Sequence, residues 1–187
     1  MFIKRPLPYP LMAVSAILVL FCTIPHAAGA GGQTAPLECF AVSDLVRIFS
    51  DGYHCPAPGE TIEICGIRNE YLSAQCVIKA NQDVEDVRVS LSPLRHVERS
   101  ASLPGDAIRW NFVGSIPIAE NTPKYRKSDL IRTAPARFAD YLMEPRQISL
   151  KKDEYRAIYL TVHVPRDAEK GDYEALLLTR AYFIEHI

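Results

Sequence analysis

The residues that could do chemistry in this chain are few and dispersed. Asp153 and Glu154 are adjacent carboxylates, and a pair of acidic side chains can act as general acid and general base in hydrolysis. That chemistry needs one group on each side of the reacting bond, in a pocket that shifts their pKa values. This pair instead follows Lys151 and Lys152 between two predicted strands. The sequence therefore predicts a solvated turn here and not an active site.

Other nucleophilic and cofactor-binding patterns are absent from the sequence. Ser115 follows a glycine but lacks the second glycine of the G-x-S-x-G turn that presents a catalytic serine. No Walker sequence, dinucleotide fingerprint or HExxH zinc motif occurs. The histidines outside the N-terminal region are scattered at His54, His96, His163 and His186. We therefore predict no catalytic residue and no cofactor in this chain.

The N-terminal residues have the pattern of a secretory signal peptide. Lys4 and Arg5 precede the apolar run 11–24, and small residues end at Ala30, where we expect cleavage. A membrane anchor is disfavoured because the run is shorter than the ~20 residues that span a bilayer. Lipid attachment at Cys22 is disfavoured by the bulky residue before it. We expect an exported protein, periplasmic or extracellular, that is free of the membrane after cleavage.

The mature chain has the size and charge of one ordinary soluble domain. Removal of residues 1–30 leaves 157 of the 187 residues, and the formal net charge changes from −1 to −3 because Lys4 and Arg5 are lost. This length can bury one hydrophobic core. A chain without a basic excess lacks the charge that attracts nucleic acid, so we predict no nucleic-acid partner.

The mature chain keeps four cysteines, Cys39, Cys55, Cys65 and Cys76. In an oxidising compartment an even number permits disulfides, here in three possible pairings that the sequence leaves open. Cys76 also fits the alternation of a buried strand, so some of the four are expected to be small core residues. No CxxC pair and no histidine at zinc-site spacing occurs, so no metal site is predicted.

Strand patterns dominate the mature chain. The clearest alternations of apolar and polar residues are at 61–65, 72–78, 87–91, 158–164 and 173–178, with weaker ones at 38–42, 45–49, 108–113 and 146–150. Short strands separated by Pro, Gly, Asn and Asp predict an all-β fold, a β-sandwich of immunoglobulin-like or jelly-roll-like type. Residues 117–145 predict one long, irregular connection, and loops of that length are often functional.

A family resemblance is carried by several segments in a fixed order. They are residues 66–75 (GIRNEYLSAQ), 84–89 (VEDVRV), 132–142 (RTAPARFADYL), 147–148 (QI) and 162–173 (VHVPRDAEKGDY). Together they resemble the N-terminal β-sandwich domain of glycoside hydrolase family 123-like proteins, in which an aRnE…fQ strand pair precedes a P-D-x-L…VP-x-D-A-x-x-G-x-Y segment. The resemblance covers most of residues 38–178.

The resemblance implies an accessory domain without its catalytic partner. It divides the chain into a signal peptide at 1–30, a sandwich domain at 31–180 and a divergent tail at 181–187. In full-length family members, hydrolysis of an N-acetylhexosaminide belongs to a following (β/α)₈ barrel with an adjacent Asp-Glu pair, assisted by the acetamido group of the substrate. Such a barrel takes about 250 residues, and this chain ends at Ile187. We therefore expect a truncated chain, its sandwich incomplete at the C-terminus and the barrel a missing partner.

Several residues of the resembling segments have predicted structural roles. Pro165 cannot donate to a sheet and should end its strand. Gly171 supplies a backbone conformation that side chains resist, and Tyr173 restarts the alternation. Arg68 and Glu70 bracket a turn, where we favour an ion pair over a role in ligand binding.

A glycan, if one binds, is expected at three residues. Asp140 and Tyr141 lie in the long connection, where a loop could reach a sugar or a neighbouring domain. Trp110 could stack on a sugar ring, although strand aromatics are more often core residues.

The sequence leaves three functions to compare. The first is a non-catalytic sandwich module of an exported glycoside hydrolase 123-like protein. The second is a stand-alone secreted carbohydrate-binding module, and the third is a small hydrolase acting through Asp140 or Glu154.

Overall fold

The computed structural model describes residues 18–23 and 35–182. Within these ranges the backbone forms strands and one short 3₁₀ helix, η1 (Lys127–Asp129). The strands, in chain order, are β1 (Leu18–Thr23), β2 (Leu37–Val42), β3 (Thr61–Ile64), β4 (Tyr71–Ala80), β5 (Val84–Leu91), β6 (Arg95–His96), β7 (Ile108–Ile118), β8 (Ala136–Leu142), β9 (Gln147–Leu150), β10 (Tyr155–His163) and β11 (Tyr173–Tyr182). The predicted all-β class is confirmed.

The strands form two sheets. One has six strands in the order β3-β1-β11-β5-β9, with β6 beside β11, and the other has five in the order β2-β4-β10-β7-β8. All pairings are antiparallel except the parallel pairing of β1 with β11. The β-sandwich predicted from the turn-separated alternations is confirmed.

The core lies between the two sheets because alternate side chains of each strand point inward. On β10, Ile158, Leu160 and Val162 are buried, and on β4 Cys76 and Ile78 face them from the paired strand. Burying an aliphatic side chain of this size contributes about 1.5–3 kcal/mol. These strands, with β7 beside β10, therefore form the stable part of the sheet that positions the surrounding loops.

Residues 43–55 do not contain the strand predicted at 45–49. Ile48 and Phe49 are instead buried, and Ile48 packs on Val77 and Ala157 at the outer surface of the five-stranded sheet. These apolar side chains are removed from water where the segment covers the sheet, so the segment buries them without pairing as a strand. The prediction of a strand here was wrong for that reason.

The long connection at 117–145 is only partly irregular. It contains η1 and also β8, which pairs with β7. The strand was missed because no β8 residue is fully buried, so its sequence lacks a clear apolar alternation. Near its start, the side chain of Asn121 accepts a hydrogen bond from the backbone N–H of Ala134 at 2.9 Å.

The predicted leader and the sheet overlap in sequence. β1 lies inside residues 1–30 and sits between β3 and β11, with residues 18–23 in register with 173–178. The expected cleavage point after Ala30 lies outside the described residues, so cleavage stays a prediction. Cleavage there would remove β1 from the sheet.

At the other end, β11 continues to Tyr182, two residues past the expected domain boundary at 180, while residues 183–187 lie outside the described part. In the described part of the chain, no helix is long and apolar enough to span a membrane.

Candidate functional site

The turn between β10 and β11 is held in place by backbone hydrogen bonds and by close packing around a glycine. β10 ends at His163, one residue before Val164-Pro165, and Ala168 closes the turn by donating its N–H to the Pro165 carbonyl at 3.2 Å. Gly171 has a φ of 146°, and a Cβ atom there would come within 2.2 Å of His96 Nε2. The structural roles predicted for Pro165 and Gly171 match this geometry.

His96 and Tyr173 fix the inner side of this turn. The backbone N–H of Glu98 donates to His96 Nδ1 at 3.1 Å, so Nε2 carries the proton and donates to the Lys170 carbonyl at 3.1 Å. The Tyr173 ring meets the imidazole edge-on at 5.0 Å, and its hydroxyl donates to the Glu169 carbonyl at 3.0 Å. Burial, with the nearby Glu169 charge, raises the pKa of Tyr173. The hydrogen bonds of the His96 imidazole and the Tyr173 hydroxyl therefore stabilise the turn.

Arg68 and Glu70 support the same turn from the β3–β4 connection. Arg68 Nε donates to the Ala168 carbonyl at 2.8 Å, and a Glu70 carboxylate oxygen accepts from the Ile67 N–H at 2.8 Å. Each side chain bonds the backbone instead of forming the ion pair we expected between them. The connection is pinned further by the Asn69 N–H, which donates to the Val164 carbonyl at 2.7 Å. Through these hydrogen bonds, Arg68 joins the β3–β4 connection to the β10–β11 turn and Glu70 holds the backbone of the connection itself.

A cavity of about 550 Å³ opens beside this turn. The turn and the segment before β7 line it with Pro93, Ala101, Ser102, Leu103, Pro104, Gly105, Pro165, Asp167, Glu169 and Tyr173. Its size is typical of small-ligand sites. Its surface combines proline rings with two carboxylates, a mixture that could accept hydrogen bonds from a hydroxylated ligand.

The electrostatics of this cavity do not favour acid–base catalysis. Arg99 Nη1 lies 2.6 Å from Glu169 Oε2, and that hydrogen bond holds the pKa of Glu169 below its usual range. A carboxylate kept ionised can accept hydrogen bonds but has no proton to donate to a leaving group. The cavity can therefore bind but does not show the paired acid and base that hydrolysis needs.

Trp110 is placed on the inner side of β7. Its ring is half-buried against the core and meets Phe112 edge-on at 5.1 Å. The guanidinium of Arg146 lies 4.8 Å from the ring centroid and bonds the Trp110 carbonyl. The ring of Trp110 is therefore packed against the core and covered by the Arg146 guanidinium.

Asp140 and Tyr141 lie on β8. The register passes from Gly114↔Tyr141 to Ser115↔Ala139, so Asp140 is the extra residue of a bulge and is exposed. The Tyr141 ring lies over Gly114, where a Cβ atom would come within 2.3 Å of Cζ. Neither residue, nor Trp110, lines the large cavity. The three expected ligand residues are thus not gathered around it.

Asp153 and Glu154 form the turn between β9 and β10. Asp153 has a φ of 62° and donates its backbone N–H to the Ala80 carbonyl at 2.7 Å. One oxygen of Glu154 accepts from Arg156 Nη2 at 2.7 Å and the other from the Lys151 N–H at 3.1 Å. Both oxygens of Glu154 are engaged within the turn, as expected for a structural role.

The free thiols of Cys55 and Cys76 bear on the disulfides that the sequence left open. Each of the three complete pairings of the four mature cysteines uses both of these residues, so none of the three is formed. Cys76 is fully buried, and its burial raises the pKa of the thiol to about 12. Among the described residues, no group of three or more His, Cys, Asp and Glu side chains could hold a metal ion.

Comparisons with known proteins include a family model and a solved structure that concern the same glycoside hydrolase family. A sequence model of the glycoside hydrolase 123 N-terminal domain matches residues 55–180. A solved structure of a family 123 glycoside hydrolase from Clostridium perfringens, from work on glycolipid glycan hydrolysis, is similar with a TM-score of 0.51. The two are 16% identical over 63% of this chain, which spans 19% of the enzyme. This structural similarity concerns the fold alone, and a search of curated proteins found no match.

Proposed function

This chain belongs to the family of glycoside hydrolase 123 N-terminal domains, and on that premise we propose that it is the non-catalytic accessory module of an exported glycoside hydrolase 123-like protein. The observation that carries the proposal is the family match over residues 55–180, which runs from the segment before β3 through most of β11. The matched region holds most strands of the sandwich, with the turn at 164–173 inside it, while β1 and β2 precede it.

The contacts within the family segment support a structural role. Gly171, Tyr173 and Arg68 each act on the backbone geometry of the β10–β11 turn. Glu169 is paired with Arg99, and Glu154 is bonded within its own turn. Of the two carboxylates that line the cavity beside the β10–β11 turn, Glu169 is kept ionised by Arg99, so it has no proton to give to a leaving group as one carboxyl must in glycoside hydrolysis. The module is therefore expected to leave chemistry to another domain.

That other domain, in this proposal, is a (β/α)₈ barrel encoded beyond this chain. The chain spans 19% of the matched enzyme, which leaves room for a barrel of about 250 residues. The whole protein would act on N-acetylhexosaminides, and the sandwich would pack against the barrel and support its shape. The chain is then a truncated form that carries the module without the catalytic domain.

An activity assay on the purified full chain tests the non-catalytic role. We expect no release of nitrophenol from a nitrophenyl N-acetyl-β-hexosaminide above the rate in buffer. Turnover that is lost in Asp140→Asn or Glu154→Gln would instead support the small-hydrolase hypothesis. Export is tested separately by mass spectrometry of the secreted or periplasmic product, which should begin at Gly31. A product that retains residues 1–30 would contradict export by a cleaved leader.

The alternative is a stand-alone carbohydrate-binding module. One feature favours it: Tyr71 is 70% exposed on the outer surface of a sheet, where aromatic residues can stack on sugar rings. The two functions differ in whether a barrel is encoded with the module. Sequencing the DNA downstream of this chain therefore distinguishes the two functions, whereas a binding measurement does not.

A further inference from the structure

Within the part of the chain that the structure describes, one end of the outer face of the five-stranded sheet is covered by a loop segment. The covering segment is 43–55, whose edge is fixed by Gln75 Nε2, which donates to the carbonyls of Ser43 and Val46, both at 3.0 Å. Next to it, the Ser73 hydroxyl donates to the carboxylate of Asp44. Gln75 is buried, whereas Tyr71, four residues earlier on the same strand, is exposed. The face thus has a covered half and an open half.

The outer face, from its covered end to its open end, is ordered by strand register. Directly opposed residues on neighbouring strands point to the same side of a sheet, and successive outward residues lie about 7 Å apart. The outward rows across β4, β10 and β7 are Gln75–Tyr159–Asn111, then Ser73–Thr161–Arg109, then Tyr71–His163. From the first row to the last the face extends about 14 Å.

Tyr71 is held as a fixed, open ring at the end of this face. Its ring stacks on the imidazole of His163 with a centroid distance of 4.4 Å and an interplanar angle of 18°. One ring face is therefore covered by His163, while the 70% exposure of the residue leaves the other face open to solvent. A ring whose orientation is set before binding loses little conformational entropy when a ligand stacks on it.

Polar groups lie one row away from this ring. The Arg109 side chain is 71% exposed, and its ion pair with Asp106 is long, at 4.0 Å. It can therefore turn its donors toward a ligand at small cost. The Thr161 hydroxyl lies opposite it in the same row. An apolar ring face beside a guanidinium and a hydroxyl suits a pyranose, which has an apolar C–H face and a rim of hydroxyl groups.

We propose that this face binds a neutral glycan chain, with one sugar ring stacked on Tyr71 and the next bonded through its hydroxyls to Thr161 and Arg109. Nucleic acid fits less well because one arginine on a chain of net charge −1 does not make a basic patch. A protein partner fits less well because the open rows are mostly polar. The proposal rests on the role of the chain in a glycan-processing protein and adds a ligand site to it.

The test is glycan binding by the full chain and by three tyrosine variants. The first measurement is a printed array of neutral oligosaccharides that includes β-linked N-acetylhexosamine trisaccharides, followed by calorimetric titration with the trisaccharide that binds best. Tyr71→Ala should weaken binding at least tenfold, because the stacking surface is lost, while Tyr71→Phe should keep it. Tyr125→Ala is the control, since Tyr125 is an exposed tyrosine in the connection between β7 and β8, and it should bind as the wild type does.

Thermal unfolding of each variant, followed by circular dichroism, distinguishes a loss of binding from a loss of fold. We expect the variants at Tyr71 to stay folded, because this exposed side chain contributes little to the core. The proposal is overturned if no oligosaccharide on the array binds above background, or if Tyr71→Ala binds as tightly as the wild type. Either result leaves the accessory role untouched, since that role is decided by what lies downstream in the DNA.

Discussion

Arg132 binds Asp51 through both terminal nitrogens of its guanidinium, at 2.7 and 2.5 Å, across 81 residues of sequence. The guanidinium also lies 4.9 Å from the ring centroid of Phe49 and 4.6 Å from that of Tyr53. Two segments outside the sheets, 43–55 and the connection before β8, are thereby joined. The contact combines a two-point ion pair with ring stacking, which is the geometry in which a surface pair contributes most.

Removal of this contact should be measurable. We expect Arg132→Ala to lower the free energy of unfolding by about 1 kcal/mol, because it loses both the ion pair and the ring contacts. Urea unfolding of Arg132→Ala, Asp51→Asn and the double variant gives the coupling energy. The matched control is Lys151–Asp83, an ion pair at 2.9 Å whose side chains are 81% and 62% exposed. Its coupling should be close to zero, and equal couplings for the two pairs would contradict the expectation.

The same pair predicts a pH dependence. The hydrogen bond from Arg132 holds the pKa of Asp51 below its usual range, so folding favours the ionised carboxylate. A lowered pKa contributes stability above the ordinary carboxyl pKa and loses it as the pH falls through the folded value. The difference in unfolding free energy between wild type and Arg132→Ala should be constant from about pH 5 to 7 and shrink below about pH 4. A difference that grows on acidification would show that the ion pair is not its source.

The strands that the sequence predicted well are those in which every second side chain faces the core. β4 and β10 lie in the middle of a sheet and show this alternation. Segment 45–49 is also rich in apolar residues, but it covers a sheet from outside, and the sequence does not record which surface an apolar side chain meets. β8 was not predicted because all its side chains are half-buried or exposed, so its sequence shows no clear apolar alternation.

Gly171 provides a test of the turn geometry. We expect Gly171→Ala to destabilise the domain by about 1–3 kcal/mol, because a φ of 146° is strained for any side chain. Its Cβ atom would also meet His96 Nε2 and disturb the bond to the Lys170 carbonyl. Thermal unfolding measures the loss. The control is Gly105→Ala, where a Cβ atom would meet nothing within 4 Å, and its stability should stay within about 0.5 kcal/mol of wild type. Similar losses in both variants would refute this account of the turn.

The candidate site was harder to predict than the fold. Tyr71 belongs to a segment that resembles the family, yet nothing in its neighbours shows that its ring is exposed and stacked on His163. That contact depends on the register of β4 against β10, which brings residues 71 and 163 side by side. Residue type alone shows that Trp110 could stack on a sugar ring, but it does not show that the ring packs against the core from the inner side of β7. The exposure of an aromatic ring in a strand therefore depends on strand pairing and on which face of the sheet it occupies.

Leader removal should change how the domain associates. Without residues 1–30, β11 loses its parallel partner along residues 173–178 and β3 loses the strand that joins it to the sheet. Open strand edges pair with other chains. We therefore expect residues 31–187 to elute from size exclusion as a concentration-dependent oligomer, while the full chain stays smaller. Leu176→Lys, which places a charge on that edge, should reduce the association. A stable monomer of residues 31–187 at all concentrations would contradict this expectation.

The central claim is that this chain is the accessory module of a glycoside hydrolase 123-like protein. Sequencing the DNA that follows the codon for Ile187 tests it most directly. The account predicts a (β/α)₈ barrel with an adjacent Asp-Glu pair, encoded in the same frame or in a shifted one. Downstream DNA that encodes no barrel in any frame would contradict it and leave the sandwich as a protein that works alone.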